Sequence, residues 1–215
     1  MASPKPSTSN PRRGYFITLE GGEGAGKSSQ ARAIVHWLRE RGRSVVLTRE
    51  PGGSPLAEAT RALVLQTWPG EMTAQTETLL MFAARDAHLH HTILPALNAG
   101  KDVVCDRFID STYAYQGAGK GLPVADIARL EKLVLGRFKP DLTLVLDLPP
   151  DQGLARAHAR GEVNRFEAET LAFARRVRRC FLARAVTARR YAVIRAEGSL
   201  MEVHERIRKV LEQRL

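Results

Sequence analysis

Gly21-Gly22-Glu23-Gly24-Ala25-Gly26-Lys27-Ser28 is a glycine-rich stretch that closes on a lysine and a hydroxyl. The spacing, G-x-x-x-x-G-K-[ST], suits a nucleotide's phosphates. Glycines let the loop curl so that successive backbone N–H groups point inward. Lys27 can then reach the β- and γ-phosphates, and the Ser28 hydroxyl can ligate Mg2+. An apolar run, Tyr15-Phe16-Ile17-Thr18-Leu19, leads in, and a stretch with helical spacing from Gln30 to Leu38 leads out. That context puts the loop between a strand and a helix, whose positive end adds to the anion site. A glycine-rich turn without a ligand is the alternative, and the flanks weigh against it. The chain is expected to bind a nucleoside triphosphate.

Two further polar clusters follow apolar runs. Thr48-Arg49-Glu50-Pro51-Gly52-Gly53 comes after the second run, and Asp106-Arg107 closes the third, Asp102-Val103-Val104-Cys105. Strand signals recur at 15–20, 44–48, 102–106, 142–147 and 191–195. Helical patterns lie near 26–41, 55–66, 73–99, 124–137, 151–160, 167–189 and 200–215. Alternating short β-rich runs and helices imply a parallel sheet with right-handed crossovers and helices on both faces. Ligands of such folds sit at the carboxyl ends of the strands, where all three polar clusters fall. The fold expected is therefore α/β, a P-loop NTPase fold with a five-stranded parallel sheet.

Composition sets bounds on the rest. The 215 residues suit one compact domain over 14–215, and 44% apolar with 26% charged residues is a globular balance. Residues 1–13 carry prolines, serines and basic residues without an apolar run, and read as a disordered tail. No apolar stretch approaches bilayer length, so no membrane partner is expected. Cys105 and Cys180 make no disulfide framework, and reduced thiols in the cytoplasm are the expectation. The net charge is +10, and 151–190 holds ten arginines, no lysine and four acidic residues. A basic surface can serve nucleic acid, but arginine without lysine also suits bidentate grip on phosphate oxygens. A solvated helix face is the expectation for Arg175, Arg176, Arg178 and Arg179. His88, His90 and His91 are close in sequence, but no cysteine completes a zinc set; a polar helix surface or subunit contact is expected there.

In order along the chain come Thr48-Arg49-Glu50-Pro51-Gly52-Gly53, Phe82-Ala83-Ala84-Arg85, Asp106-Arg107-Phe108, Ser111-Thr112-Tyr113-Ala114-Tyr115-Gln116-Gly117 and Arg160-Gly161-Glu162-Val163-Asn164-Arg165-Phe166-Glu167. With the glycine-rich loop, these resemble the bacterial thymidylate kinase family from about Arg13 to the C-terminus. The resemblance implies transfer of the γ-phosphate of ATP to dTMP, giving dTDP. ATP would rest on Gly21 to Ser29, with Ser28 and Asp106 at Mg2+ and Lys27 at the transferring phosphate. Arg49 and Arg107 would hold the acceptor phosphate. The alternatives are a helix N-cap for Asp106 and a buried ion pair for Arg107.

The same resemblance implies a thymine pocket in which Arg85 donates to O4, Thr112 and Gln116 meet N3 and its neighbours, and Ser111 lends support. The family's stacking phenylalanine lies four residues before the arginine; here Met81 stands there and Phe82 lies three before. Phe82 is the expected ring, with Met81 sharing the contact or both residues in the core as the alternatives. Tyr115 aligns where a ribose 2′-hydroxyl would clash, and Glu23 aligns with a contact on the sugar's 3′ side. The Glu50–Pro51 bond is cis in the family. The loop itself lacks the arginine of one class of these kinases, so Arg156, Arg160 and Arg165 of a short lid, about 156–167, are expected to supply charge over ATP. His158, Asn164 and Arg195 depart from common family residues at their positions. The apolar stripe of the 73–99 helix, with Leu79 and Leu80, is wider than one sheet contact needs; a partner subunit in a homodimer and a wide core-facing stripe both fit it. The rivals are another P-loop nucleoside monophosphate kinase and a nucleic-acid-associated P-loop NTPase.

Overall fold

The computed structural model describes residues 13–70, 72–159 and 170–215. The expected tail, save Arg13, and the lid from Arg160 onward lie outside the described residues. Five strands, β1 (Phe16–Glu20), β2 (Val45–Arg49), β3 (Asp102–Asp106), β4 (Leu142–Asp147) and β5 (Tyr191–Arg195), form one parallel sheet in the order β2-β3-β1-β4-β5. β1 is central and buried at all five positions. The strands match the expected runs to within one residue at either end.

Period-two alternation splits the strand residues between two helical layers. Ile17, Leu19, Val104, Leu142 and Leu144 face one core with α1 (Lys27–Glu40) and the C-terminal helix α9 (Leu200–Arg214). Phe16, Val103 and Cys105 face the other, against α3 (Ala74–His88), α4 (Leu94–Asn98) and α6 (Val124–Leu135). α2 (Pro55–Leu65) packs on α3. A smaller cluster joins Tyr115 and Val145 to Phe173, Val177 and Phe181 of α8 (Leu171–Ala185). α7 (Pro150–Ala159) packs against α8.

Two stretches depart from the expected helices. The 73–99 pattern is not one α-helix: Leu89–Ile93 is a π turn between α3 and α4. Pro95 has no N–H for the His91 carbonyl and its ring crowds that turn, so the ladder widens ahead of it. The second is a short helix, α5 (Ile109–Thr112), continuing into a π-helical stretch at Tyr113–Gly119. Sequence patterning leaves that segment unassigned because its apolar residues face three different packing surfaces. π bulges cluster at functional sites, and this one carries Tyr115 and Gln116.

Of the four arginines expected on a solvated face of α8, Arg175 and Arg179 are exposed as expected, whereas Arg176 and Arg178 are engaged. Arg178 forms a fork to Asp147 at the end of β4, 2.6 and 2.9 Å. Arg176 donates to the carbonyls of Ala118 and Gly119, 3.1 and 2.8 Å, and so holds the π-helical stretch from outside. Arg184 and Tyr191 both reach Asp110, 2.5 and 2.6 Å, which ties α5 to α8 and β5. Arg176, Arg178 and Arg184 thus tie α8 to the elements beside the cleft.

Candidate active site

The three polar strand ends meet in a cleft of about 840 Å³. From the glycine-rich loop, Glu23, Gly24, Gly26, Lys27, Ser28 and Ser29 line it; of the other expected residues, Arg49, Arg85, Asp106, Arg107, Ser111, Thr112, Tyr115 and Gln116 do so too. Gly21, Gly22 and Ala25 do not line it. Gly21 and Gly22 act from behind, their carbonyls accepting from Arg107 and Lys27. Gly24 has φ 69°, and a Cβ there would lie 2.1 Å from the Gly153 carbonyl of α7, so only glycine lets the loop seat on that helix.

The floor of the cleft is charged. Lys27 Nζ donates to the Gly22 carbonyl at 2.7 Å. Burial, helped by the nearby Arg107 cation, pulls its ammonium down to about 8. Ser28 Oγ donates to Asp106 Oδ2 at 2.5 Å, while Asp106 Oδ1 is buried with no partner. Asp106 is therefore not a helix cap. That task falls to Glu20 at the end of β1, whose Oε1 accepts from the N–H groups of Phe108 and Ser111, 2.8 and 3.3 Å. Burial and the neighbouring Asp110 carboxylate push the Glu20 carboxyl up, against the pull of its donors.

Arg107 is the one non-glycine residue at positive φ, 70°, among the described residues. That left-handed kink after β3 turns its side chain back over the loop. Its Nη1 donates to the Gly21 carbonyl and Ser111 Oγ, 3.1 and 3.2 Å, and its Nη2 to Glu23 Oε1 and Tyr115 OH, 2.6 and 3.0 Å. The ion-pair alternative for Arg107 is thus realised, inside the cleft. Burial disfavours its charge, but Glu23 and the other acidic neighbours outweigh that and raise its pKa. Tyr115 OH in turn donates to Glu23 Oε1 at 2.8 Å, so the two residues aligned with sugar contacts touch each other.

Arg49 pairs with Glu58 of α2 at 3.0 Å. Beside it lies a cation that sequence reasoning missed. Arg61 lines the cleft from α2, donates to the Pro51 carbonyl at 2.9 Å, and has its pKa lowered by burial and then by the Arg49 and Arg107 cations. Its signal in the sequence was only a position one helical turn beyond Glu58.

The far wall is a buried polar chain. Arg85, 2% exposed, lies over the rings of Phe82 and Phe108, 5.0 and 5.4 Å. Its Nε donates to Glu50 Oε2 at 2.7 Å and its Nη2 to Thr112 Oγ1 at 3.1 Å, while Nη1 is buried without a partner. Glu50 Oε1 meets His88 Nδ1 at 3.1 Å, and His88 Nε2 meets Thr48 Oγ1 at 2.7 Å. His88 is therefore fully buried structural polarity, not helix surface; His90 and His91 are exposed. The Glu50–Pro51 peptide is cis. At Gly53, φ 84°, a Cβ would lie 2.3 Å from Thr48 Oγ1 and 2.4 Å from His88 Nε2.

Two expected residues stand elsewhere. Phe82 lies in the core beneath Arg85, and Met81 lines the cleft instead. One position along a helix turns a side chain by about 100°, and Phe82 falls on the stripe that packs against Phe108. Arg156 is absent from the lining; it donates to the carbonyls of Ala196 and Gly198, 3.3 and 3.5 Å. Arg160 and Arg165 lie outside the described residues, as does the side chain of His158. No group of three or more His, Cys, Asp or Glu residues that could hold a metal occurs among the described residues.

A P-loop, an aspartate at the end of β3 and a cluster of arginines beside them are parts that a phosphate-to-phosphate kinase would use. The family model for thymidylate kinase matches residues 19–207. The chain belongs to the thymidylate kinase family. It is 55% identical to a thymidylate kinase of Pseudomonas fluorescens, over 94% of this chain and 97% of that one. It is 53% identical to the Ectopseudomonas mendocina thymidylate kinase, over 92% and 95%. Among solved structures it resembles the thymidylate kinase of Ehrlichia chaffeensis, with a TM-score of 0.76 and 34% identity over 93% of this chain and 99% of that one. Members of this family are kinases, and the chain is an enzyme of that class.

Proposed function

We infer that this kinase transfers the γ-phosphate of ATP to dTMP, forming dTDP and ADP. A phosphate oxygen of dTMP attacks the γ-phosphorus, and the bond from that phosphorus to the β–γ bridging oxygen breaks, its electron pair leaving on ADP. The acceptor's second pKa is near 6, so at neutral pH it is mostly a dianion and needs no general base. What remains is electrostatic: two anionic phosphates must approach in line while charge on the moving group is neutralised. The observation that carries the reading is one cleft with two cationic groups of different origin, the Lys27 loop on β1 and the Arg49, Arg61 and Arg107 cluster from the ends of β2 and β3 and from α2.

Lys27 and the loop N–H groups would take the ATP phosphates, and Arg107, Arg49 and Arg61 the acceptor phosphate. Asp106 and Ser28 fit Mg2+, a hard cation that takes oxygen ligands: the buried, unpartnered Oδ1 of Asp106 is an oxygen donor in want of a charge. Bound there, Mg2+ would neutralise charge on the β- and γ-phosphates; the residues position the nucleotide for it. Arg85, Thr112 and Gln116 would read the base edge, Met81 would cover its face, Tyr115 would exclude a ribose, and Glu23 would meet the sugar's 3′ side. Lid arginines Arg160 and Arg165 complete the proposed charge supply.

No described helix is long and apolar enough to cross a membrane; a cytoplasmic location is part of the proposal. Leu56, Leu63 and Leu79 of the paired helices α2 and α3 remain exposed, which supports a homodimer through that layer; light scattering at twice the chain mass tests it. The reaction itself is tested by ADP release with dTMP, dUMP, dGMP, dCMP and AMP as acceptors. dTMP is expected to give the highest kcat/KM, and a different best acceptor overturns the reading.

A further inference from the structure

Gln116 is 2% exposed and lines the cleft, yet its side chain is held from behind. Its Nε2 donates to Glu77 Oε1 at 2.8 Å, and Lys120 Nζ donates to the other oxygen, Glu77 Oε2, at 2.9 Å. Glu77 is fully buried within α3. A carboxylate beside an ammonium can only accept, and an amide carries its donor and its acceptor on opposite branches. Glu77 therefore dictates which branch of Gln116 is left for a ligand: the carbonyl Oε1, which accepts no hydrogen bond among the described residues. Across the same wall, Arg85 Nη1 is a buried donor without a partner.

We propose that Glu77 is a positioning residue for base choice, fixing the Gln116 amide so that the cleft offers one donor and one acceptor to the pyrimidine edge. Thymine answers that pair with its O4 acceptor and N3–H donor. Cytosine presents a 4-amino donor and an N3 acceptor, mismatched at both atoms. A freely flipping Gln116 would remove one of those two mismatches. The inference deepens the dTMP reading and rests on it; wild-type acceptor preference tests that reading separately.

The charge arrangement gives a test with a sign. In Glu77→Gln, Lys120 donates to the new amide oxygen and turns the new NH2 toward Gln116. Gln116 must then flip to accept, and presents its own NH2 to the base. The kcat/KM for dTMP is expected to fall about tenfold to hundredfold, while that for dCMP holds or rises and KM for ATP stays within about twofold. Adding Lys120→Met removes the donor that orients the new amide, so the double variant is expected to recover part of the dTMP preference. A role in folding alone predicts equal losses for both pyrimidines and no rescue, and that result overturns the proposal. If Glu77→Gln does not fold, the unmodified enzyme decides. The Gln116 side-chain NH2 resonances are expected to stay in place as dTMP fills the cleft; a large shift shows nitrogen facing the base and overturns the assignment.

Discussion

The two ends of the cleft are built on opposite plans. At the base end, Arg85 and Gln116 are each held from behind, by Glu50 and Glu77, and each keeps one polar atom uncommitted. At the phosphate end the cations are already engaged: Lys27 with the Gly22 carbonyl, Arg107 with Glu23, Arg49 with Glu58. On the proposed reading, base recognition is preformed, whereas phosphates would exchange with internal partners. That difference has a physical basis. A neutral base repays only good hydrogen-bond geometry, so the donors and acceptors are fixed in advance. A phosphate brings enough charge to outcompete a carbonyl or a shared carboxylate.

If the phosphate end carries the chemistry, the largest effect belongs there. Lys27→Ala is expected to lower kcat by about a thousandfold or more with the melting temperature little changed; steady-state assay beside thermal unfolding checks it. The base end should fail in stability instead. Glu50→Gln strips a carboxylate from a guanidinium 2% exposed, a change that costs about 3–5 kcal/mol when a buried pair is broken. Denaturant titration reads it, and an unchanged midpoint breaks the comparison.

Arg107→Ala should raise KM for dTMP by about a hundredfold and far more than KM for ATP. Equal changes in both would mean that the two anion sites are not separate. The pH dependence sharpens the phosphate end. Lys27 sits at about 8, and only its protonated form attracts phosphate, so kcat/KM for ATP should decline above pH 8, by about tenfold per unit at the limit. The smallest expected effect is at the sugar. Tyr115→Phe keeps the ring but loses the hydroxyl bonded to Glu23, and should cost about threefold to tenfold in kcat/KM for dTMP.

Much of the phosphate end was legible in the sequence, because loops at strand ends announce themselves through glycine, lysine and arginine after apolar runs. All five strands could be read for the same reason. The base end was less legible. His88 reads as a residue of a polar helix surface or a subunit contact, since nothing local reveals the Thr48–His88–Glu50–Arg85 chain that buries it. Glu77 and Glu20 read as ordinary helix and strand-end carboxylates; their partners lie dozens of residues away. Phe82 and Met81 are adjacent, and which faces the cleft depends on helix rotation against Phe108. Arg156 resembles a lid cation in sequence, but carbonyls of the β5–α9 connection take its donors.

The central claim is that donor and acceptor phosphates have separate places in one cleft. Titration calorimetry of dTMP into enzyme saturated with a non-hydrolysable ATP analogue tests it most directly. One dTMP bound per chain, with affinity within about tenfold of that without the analogue, is the result expected. Absence of binding until the analogue is diluted away would mean that the two compete for one place, and would contradict it.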